Sequence, residues 1–312
     1  MFDLCSKEVN FGTNYPHRNI MSKTWLERTK QLWLEKRLPY RIKHKLGNLG
    51  VLPNCLIVGA QKAGTTSLYE HLIRHPNVWP PDARELNFFN DYWTQGETWY
   101  RARFPNQLIQ FWSINLAQQP FVTLESTPEY FLDNNVPIRV AKLIPDCKLI
   151  FLLRNPIDRA YSHWKMNVRR KFETLSFEEA IEKELERIEL DLKHAQEESF
   201  ALKNNSALAL YSYLYRGKYL ERLQPWLDIF SGQQIKIINS EELWKDINNY
   251  YDVLDFLSLS KDKQATDKFN KFYGSNTASK DMQETTRKFL RDYFQEPNQR
   301  LFEFLNKNWD WN

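Results

Sequence analysis

The sequence predicts an α/β fold in which helices cover a central parallel sheet, giving three layers. Short and almost wholly apolar runs recur along the chain, and such runs are typical of strands that are buried on both faces. Segments with helical spacing alternate with these runs, as a parallel sheet requires. The first run leads through a glycine-containing loop directly into a helix, which is the opening half of a βα unit.

The strands and the first helix are predicted from these patterns in chain order. The first strand is predicted over 55–58, where Cys-Leu-Ile-Val is the apolar run. A helix follows over 67–74, and His75-Pro76-Asn77 ends it. Three further apolar runs predict strands at 121–124, 149–153 and 234–238.

Two further helix starts carry capping signals. Asn155 follows the third strand and can cap a helix whose first residue is Pro156. Ser176 and Glu179 form a capping box at the start of a long helix predicted over 176–198. Its apolar residues share one stripe and the rest is charged, so we expect a surface helix with no catalytic or binding role. The stripe consists of Phe177, Ile181, Leu185, Ile188 and Leu192.

The bulk composition predicts a globular protein without a nucleic-acid partner. Of the 312 residues, 42% are hydrophobic and 26% are charged, which is ordinary for a globular chain. The formal net charge of +4 is too small to indicate binding to nucleic acid. Residues 1–50 are predicted to form a basic helical arm, and 51–312 a single domain. Whether the protein is a monomer or a homodimer is open at this point.

Cysteine usage and hydropathy predict a cytoplasmic location. Cys5, Cys55 and Cys147 are far apart and odd in number, so we expect reduced thiols and no metal site. No stretch approaches ~18 continuous apolar residues, so no transmembrane segment is expected. The first residues also lack the apolar run of a signal peptide.

The loop over 59–66, Gly-Ala-Gln-Lys-Ala-Gly-Thr-Thr, is predicted to bind a phosphate-like anion. It stands between a strand and a helix, where backbone N–H groups and the helix dipole favour negative charge. Gly64 permits close approach of the backbone, and Lys62 brings a full positive charge. Hydroxyl groups are supplied by Thr65, Thr66 and Ser67.

The position of the lysine argues against a nucleoside triphosphate. In a Walker A loop, GxxxxGK[ST], the lysine directly follows the second glycine. Here Thr65 occupies that place and Lys62 lies inside the loop. The chain therefore lacks the lysine that usually holds the γ-phosphate. A lysine inside the loop can instead offset charge on a leaving phosphate oxygen.

A second anion-binding element is predicted after the third strand. Arg154 stands at the carboxyl end of that strand, where α/β folds bind their ligands. Ser162 lies eight residues further on, in the following helix. A guanidinium group and a hydroxyl group can hold one phosphate from two sides.

Together these segments resemble the family of sulfotransferases that use 3′-phosphoadenosine-5′-phosphosulfate (PAPS). Residues 56–69 are similar to the family's 5′-phosphosulfate loop and 152–163 to its 3′-phosphate motif, most of all in bacterial members and the heparan-sulfate branch. The resemblance implies a P-loop-like fold and transfer without a metal ion. It also implies nucleotide contacts from Gln61, Lys62, Ala63, Gly64, Thr65, Thr66, Ser67, Arg154 and Ser162, and, through weaker likenesses, from Tyr215 and Lys280.

The resemblance further implies a catalytic pair for an in-line transfer. Lys62 would stabilise the leaving phosphate oxygen. Glu85 would be the general base, since its segment is similar to the family's Lys-Glu-x-His-Phe-Phe element. A carboxylate can take this role if burial raises its pKa. His163 and His71 are rival bases, although a structural role is expected for each.

Weaker likenesses place acceptor contacts at Arg84, Phe88, Ser126, Tyr130 and His163. Ser126 replaces a lysine that faces the sulfated chain in polysaccharide enzymes, and Arg84 replaces a second lysine. These departures favour a small cytosolic acceptor, such as a secondary metabolite with a hydroxyl or nitrogen nucleophile. A saccharide is the alternative.

Two other functions are compatible with parts of the sequence. A P-loop kinase or nucleoside triphosphatase would use Mg²⁺ and Glu125 as its metal-binding acid, but the position of Lys62 argues against it. A non-catalytic nucleotide- or anion-binding protein would dock its basic arm on a partner or membrane, and Glu85→Gln would remove no activity.

Overall fold

A parallel four-stranded sheet forms the centre of the computed structural model, which describes residues 47–195, 202–203, 205–262, 269 and 282–311. The order across the sheet is β2-β1-β3-β4, and all three pairings are parallel. The flanking segments are helical, which confirms the predicted α/β class with a central parallel sheet. The strands are β1 (Cys55–Gly59), β2 (Leu124–Ser126), β3 (Lys148–Leu153) and β4 (Ile235–Asn239).

Helices occupy the chain between and after these strands. The α-helices are α1 (Thr65–Leu72), α2 (Gly96–Arg101), α3 (Gln107–Phe111), α4 (Val136–Leu143), α5 (Pro156–Arg169), α6 (Phe177–Glu182), α7 (Glu184–His194), α8 (Ala207–Tyr211), α9 (Tyr219–Leu227), α10 (Ser240–Leu243), α11 (Ile247–Phe256) and α12 (Glu284–Leu305). Short 3₁₀ turns lie at Gly47–Leu49, Trp93–Gln95, Pro128–Phe131 and Tyr215–Gly217, and a π turn at Trp112–Leu116.

The two inner strands explain the apolar runs of the sequence. Every residue of β1 is buried, and so is every residue of β3 after Lys148. A strand with neighbours on both edges and helices on its faces has no side in water, so each of its side chains must be apolar. The predictions at 55–58 and 149–153 are confirmed to within one residue.

The second strand begins three residues later than predicted. Val122 forms only an isolated bridge with Val78, and the ladder of β2 starts at Leu124. The Asn54 side chain accounts for part of this difference, because it donates to the carbonyl oxygen of Phe121 (2.8 Å) and accepts from the backbone N–H of Thr123 (2.9 Å). Two backbone groups of the apolar run thus bond to a side chain, and those of Val122 bond to the backbone of Asn77 and Trp79.

The prediction of one continuous helix over 176–198 is wrong, because Lys183 separates α6 from α7. The predicted stripe breaks at the same point, and Leu185 is 67% exposed. Glu184 is buried instead, and its carboxylate accepts the backbone N–H of Leu214 at 2.6 Å and that of the next residue at 2.7 Å. The hydrogen bonds between Glu184 and distant backbone N–H groups therefore decide which side chain is buried here, against the helical spacing that predicted Leu185.

Both predicted capping signals are confirmed. The Asn155 side chain accepts the backbone N–H of Ile157 at 3.0 Å, so α5 begins almost at the end of β3. The capping box at the start of α6 has both of its bonds, between Ser176 and Glu179. The first of these caps matters for function, because it places α5 at the carboxyl edge of the sheet.

The described residues all belong to one compact unit. The predicted basic arm over 1–50 lies outside them, apart from 47–50, and so does Cys5. Cys55 and Cys147 are free and buried thiols, and burial raises the pKa of Cys55 to about 12. Within the ranges given above, none of the helices combines the length and hydropathy that crossing a bilayer requires.

We predict that Gly59, the last residue of β1, tolerates no side chain. A Cβ atom built there lies 2.6 Å from the Cβ of Phe131, which cannot rotate away because it is bonded to the backbone. We expect Gly59→Ala to lower the free energy of unfolding in urea by about 1–3 kcal/mol. Gly232→Ala is the control, since nothing lies within 4 Å of a Cβ built there. Equal losses in the two variants would contradict the prediction.

Candidate active site

The carboxyl edge of the sheet opens into a cleft of about 360 Å³. Parallel strands all end at this edge, so segments that are distant in sequence converge on it. The cleft brings together most of the site residues that the sequence predicts, namely Gln61, Lys62, Gly64, Thr65, Thr66, Ser67, Arg84, Glu85, Arg154, Ser162 and His163.

The loop after β1 has an unusual backbone. Lys62 has a φ of 70° and Gly64 a φ of 94°, both in the left-handed region. Such a conformation is strained for lysine, and strain of this kind is typical of binding sites. Gly64 is the N-cap of α1 and has no side chain that could bond to the first N–H groups of the helix. Ala63 is buried and does not line the cleft.

Lys62 lies among other positive charges. Burial and, after it, the nearby guanidinium groups together lower its pKa to about 8, the guanidinium groups in the order Arg169, Arg154, Arg170 and Arg159. Crowding of like charges at one end of a cleft raises the local concentration of anions. The loop therefore has the electrostatics of an anion site as well as its backbone geometry.

Arg154 connects the two predicted anion-binding elements. Its Nη1 donates to the carbonyl oxygen of Lys62 at 3.3 Å, although 92 positions separate the two residues. Tyr219 donates its hydroxyl to the Arg154 carbonyl oxygen at 2.7 Å, and Glu241 lies 3.7 Å from the Arg154 guanidinium. Ser162 is buried on α5 and lines the same cleft.

Glu85 lines the cleft but is not buried. Its side chain is 45% exposed and forms an ion pair with Arg84, with 2.8 Å between Nη2 and Oε1. The burial that we expected of a carboxylate base is therefore absent at this position. The pair lies where solvent reaches the cleft.

A buried carboxylate ties the segment of Glu85 to β2. Both oxygens of Glu125 accept hydrogen bonds: Oε1 from the hydroxyls of Tyr100 (2.5 Å) and Tyr130 (2.9 Å), and Oε2 from the backbone N–H of Leu86 (3.2 Å) and the hydroxyl of Thr127 (3.1 Å). Burial raises the pKa of this carboxyl to about 7, even though the donors favour its ionised form. The segment after Glu85 is thus positioned by an acid in the core.

Three residues predicted to contact the acceptor lie in the core next to this acid. Phe88 and Tyr130 are fully buried, and the Tyr130 hydroxyl accepts the backbone N–H of Phe88 at 2.8 Å. Ser126 is buried at the end of β2, and its hydroxyl has no hydrogen-bond partner among the described residues. None of the three lines the cleft.

Other predicted residues also lie away from the cleft. The backbone N–H of Tyr215 donates to Glu184 at 2.7 Å, and the Arg222 guanidinium lies 4.5 Å from the centre of the Tyr215 ring, so these contacts are helix packing. His71 is buried in α1, with its ring 4.8 Å from that of Trp244. Lys280 lies outside the described residues.

The sequence analysis missed Glu129. This nearly buried acid lines the cleft, accepts from the Gln61 amide at 2.5 Å and forms a 2.7 Å ion pair with Arg216. Arg216 also donates to the hydroxyl of Ser212 at 2.8 Å. The only signal in the sequence was a second acid beside Pro128, four positions after Glu125.

On the wall of the cleft that α5 forms, the sequence analysis predicted only Ser162 and His163. His163 lines this wall and is fully buried. Burial first, and then the charges of nearby arginines and Lys62, lowers the pKa of His163 well below its usual value, so the ring is neutral at neutral pH. The overlooked members of the wall are Met166, Asn167, Arg169 and Arg170. Their spacing from His163 on a helix was the available signal.

Across the described ranges, the histidines, cysteines and acids form no group of three or more that could hold a metal ion. The groups of the cleft that can bind a ligand or move a proton are its lysine and arginines, the neutral imidazole of His163, the acids Glu85 and Glu129, and the N–H groups at the start of α1. These groups suit the binding and transfer of an anionic group.

Comparison with known proteins agrees with this chemistry. The chain is similar to mouse heparan sulfate glucosamine 3-O-sulfotransferase 3A1, with 30% identity over 214 residues, 67% of this chain and 47% of the relative. It is similar to the bifunctional heparan sulfate N-deacetylase/N-sulfotransferase 1 of Caenorhabditis briggsae, with 28% identity over 281 residues, 82% of this chain and 30% of the relative. The chain thus spans less than half the length of these relatives.

A solved structure and a family model also match most of the chain. The structure, a sulfotransferase from Alicyclobacillus acidocaldarius, has a TM-score of 0.59 and 26% identity, and the match covers 84% of this chain and 99% of that one. The model of the sulfotransferase domain matches residues 52–307, which include both anion-binding elements and the whole cleft. The chain therefore belongs to the sulfotransferase family of enzymes.

Proposed function

We propose that this protein transfers a sulfuryl group from PAPS to a hydroxyl or nitrogen of a small acceptor. The observation that carries the proposal is the hydrogen bond between Arg154 and the Lys62 carbonyl oxygen. This hydrogen bond connects the loop before α1, which is suited to bind an anion, with Arg154, a cation that follows the neighbouring strand β3. PAPS has a phosphosulfate at one end and a 3′-phosphate at the other, so two adjoining anion sites fit it.

The residues of the two sites divide the binding of PAPS between them. The N–H groups at the start of α1, with the hydroxyls of Thr65 and Thr66, hold the phosphosulfate. Arg154 and Ser162 hold the 3′-phosphate. Lys62 lies inside the loop and offsets the charge that develops on the phosphate oxygen as the bond to sulfur breaks.

Glu85 takes the proton of the acceptor in this proposal. It lines the same cleft as Lys62, and the bond from the neighbouring Leu86 N–H to Glu125 fixes its segment. The Arg84 ion pair holds the Glu85 carboxylate at the open side of the cleft. An acceptor that covers the cleft would exclude water from this pair.

The acceptor is proposed to be a small molecule, which the sequence departure at Arg84, a residue that lines the cleft, favours; Ser126, the other departure, is buried outside the cleft. A saccharide is the second candidate, and the similarity to heparan sulfate sulfotransferases favours it. A cytoplasmic location and a role in secondary metabolism stay predictions from the sequence.

The environment of Glu125 weighs against a P-loop kinase. A metal-binding acid in such an enzyme needs a carboxylate that is open to the nucleotide site. Both oxygens of Glu125 accept two hydrogen bonds each from the protein. Glu125 therefore stabilises the core and is not open to a metal ion. The proposed sulfuryl transfer needs no metal ion.

We predict that adenosine 3′,5′-bisphosphate, the product of transfer, binds at micromolar concentration in the presence of EDTA. Lys62→Ala and Arg154→Ala should each weaken binding at least tenfold, about 1.4 kcal/mol. Isothermal titration calorimetry measures this. Lys193→Ala is the control, because it removes the same charge at an exposed site, where its partner is Glu189. Absence of binding to the unmodified protein would refute the proposal.

The affinity for this bisphosphate should fall above pH 8. Burial lowers the pKa of Lys62 to about 8, so its amine is charged below that pH and loses its charge above it. Because the anion binds the charged form, the dissociation constant should rise by up to about tenfold per pH unit above 8. Lys62→Arg should flatten the profile, since a guanidinium stays charged. The same slope in both proteins would exclude Lys62 as its cause.

Glu85→Gln should lower the turnover number by about 10²–10⁴-fold, as expected on loss of a general base. The affinity for adenosine 3′,5′-bisphosphate should not change. Turnover is followed as transfer of label from radioactive PAPS into a small-molecule cell extract. The control is Glu97→Gln, an exposed glutamate that is likewise paired with an arginine, Arg101. Full activity of Glu85→Gln would remove the base role but leave the nucleotide site intact.

A further inference from the structure

An apolar surface is exposed on α3, on the π turn that follows it and on the 3₁₀ turn beside it. Leu108 is 75% exposed, and four further apolar residues are exposed with it, which together form the α3 patch: Leu49, Leu108, Phe111, Ile114 and Leu116. Five of the 14 large apolar residues that are exposed in the described part of the chain lie in this patch, so apolar exposure is concentrated here. Exposed apolar patches mark sites that bind a protein or a membrane.

Leu49 belongs to the patch because both of its neighbours in sequence contact the start of α3. The Asn48 carbonyl oxygen accepts from the Gln107 side chain at 3.2 Å, and Gly50 forms an isolated β-bridge with Asn106. The 3₁₀ turn that carries Leu49 and the start of α3 therefore form one surface.

Hydrogen bonds fix the backbone beneath the patch at both ends. The Asn106 side chain caps α3 by accepting the backbone N–H of Ile109 at 3.0 Å. After the π turn, the backbone N–H of Gln119 donates to the carbonyl oxygen of Ser113 at 2.9 Å. The apolar side chains therefore stand on an ordered backbone, and binding a partner does not require that this backbone be ordered first.

The patch lies on the side of the sheet where the strands begin. The turn with Leu49 leads into β1, and α3 with its π turn leads toward β2. The backbone N–H of Val51 donates to the Pro105 carbonyl oxygen at 2.9 Å, which ties these two entering segments together. The cleft opens at the carboxyl edge, and none of the patch residues lines it. A partner on the patch would therefore leave the cleft open.

The segment that carries most of the patch has no charged residue. No lysine, arginine, aspartate or glutamate occurs between Arg103 and Glu125. The exposed polar residues of this segment include four with side-chain amides, namely Gln107, Asn115, Gln118 and Gln119. Apolar side chains with an uncharged polar rim are typical of a protein–protein interface, whose centre is depleted in charge.

A second copy of the chain is the partner that this lack of charge favours. In a two-fold contact the same surface is used by both copies, so a charge near the axis meets its own like charge. A surface without charges avoids this repulsion.

A membrane surface is less well matched to the patch. Amphipathic helices that lie on membranes carry lysine and arginine, which attract anionic lipids. The two arginines that precede the segment are engaged in ion pairs, Arg101 with Glu97 at 2.6 Å and Arg103 with Asp82 at 3.2 Å.

The area of the patch suits a small dimer interface. The exposed fractions of its five residues add up to about three whole residues, on the order of 500 Å² of apolar surface. A standard interface buries about 800 Å² on each partner, and the amide side chains around the patch contribute toward the remainder.

We propose that the α3 patch is the contact surface of a homodimer, in which two copies of the chain pack their patches against each other about a two-fold axis. The clefts of both copies stay open in this arrangement. The inference concerns the assembly of the protein and does not depend on the proposed sulfuryl transfer.

The test introduces charge into the patch and measures the mass of the protein in solution. Sedimentation equilibrium of the unmodified chain at micromolar concentrations should show a monomer–dimer equilibrium. Leu108→Glu and Leu108→Lys should each raise the dissociation constant of the dimer by about a hundredfold or more, because like charges then meet across the axis. Leu190→Glu is the control, since Leu190 is 65% exposed on α7, outside the patch, and its replacement should leave the equilibrium unchanged.

Mixing the two charged variants tests whether the patch contacts itself. An equimolar mixture of Leu108→Glu and Leu108→Lys should form dimers again, because opposite charges now face each other. Because Leu108 is exposed and lies away from the cleft, both variants should keep the circular dichroism spectrum and the bisphosphate affinity of the unmodified protein. Those two measurements separate a lost contact from a lost fold.

Several results would overturn the inference. A monomer at every concentration, or a dimer that Leu108→Glu leaves intact, would show that the patch is not a dimer contact. Charged variants that stay monomeric when mixed would show that the patch contacts a different surface of the second copy. Sedimentation of a monomeric protein with vesicles of phosphatidylcholine and phosphatidylserine, lost in Leu108→Glu, would assign the patch to a membrane. Failure of the unmodified protein to bind the bisphosphate would bear on the proposed function alone.

Discussion

The hydrogen bond from the Arg154 guanidinium to the carbonyl oxygen of Lys62 can form only because β1 and β3 are parallel neighbours. Both strands end at the same edge, and a 2.6 Å bond from the Ala60 N–H to the Leu152 carbonyl oxygen holds their ends together. This arrangement places a lysine and an arginine in one site, where Glu241 lies 3.7 Å from the Arg154 guanidinium. Burial and, after it, the positive charges of the nearby arginines lower the pKa of Lys62, and the fold tolerates this because apolar burial elsewhere in the sheet stabilises the strands.

The opposite wall depends on a second buried group. The segment that carries Glu85 has no regular secondary structure to position it, and its backbone is instead fixed by Glu125 and by the Tyr130 hydroxyl. An acid in the core is unfavourable unless its oxygens are satisfied, and Glu125 receives four donors. The cleft therefore has one wall set by strand order and another set by a polar network in the core.

Whether the sequence predicts a part of the fold or the site depends on how far apart along the chain the interacting residues lie. The strands at 55–58 and 149–153 and the cap at Asn155 depend on neighbours in sequence, and the sequence predicts them well. The break between α6 and α7 depends on Glu184, which bonds a backbone N–H 30 positions away. The ion pair of Glu129 spans 87 positions. No local pattern contains such pairs, so the sequence analysis missed them.

The acids of the cleft determine where its positive charge is available to a ligand. Glu129 forms an ion pair with Arg216 at 2.7 Å, and Glu85 forms one with Arg84 at 2.8 Å. Neither pair adds net charge to the cleft. Lys62 has no such partner among the described residues, and burial together with the nearby arginines lowers its pKa to about 8. A lysine already paired with an acid would have to break that pair before it could bind a phosphate. An unmatched lysine keeps its charge for the anion that enters the cleft, which is the arrangement that a transfer between anionic groups requires.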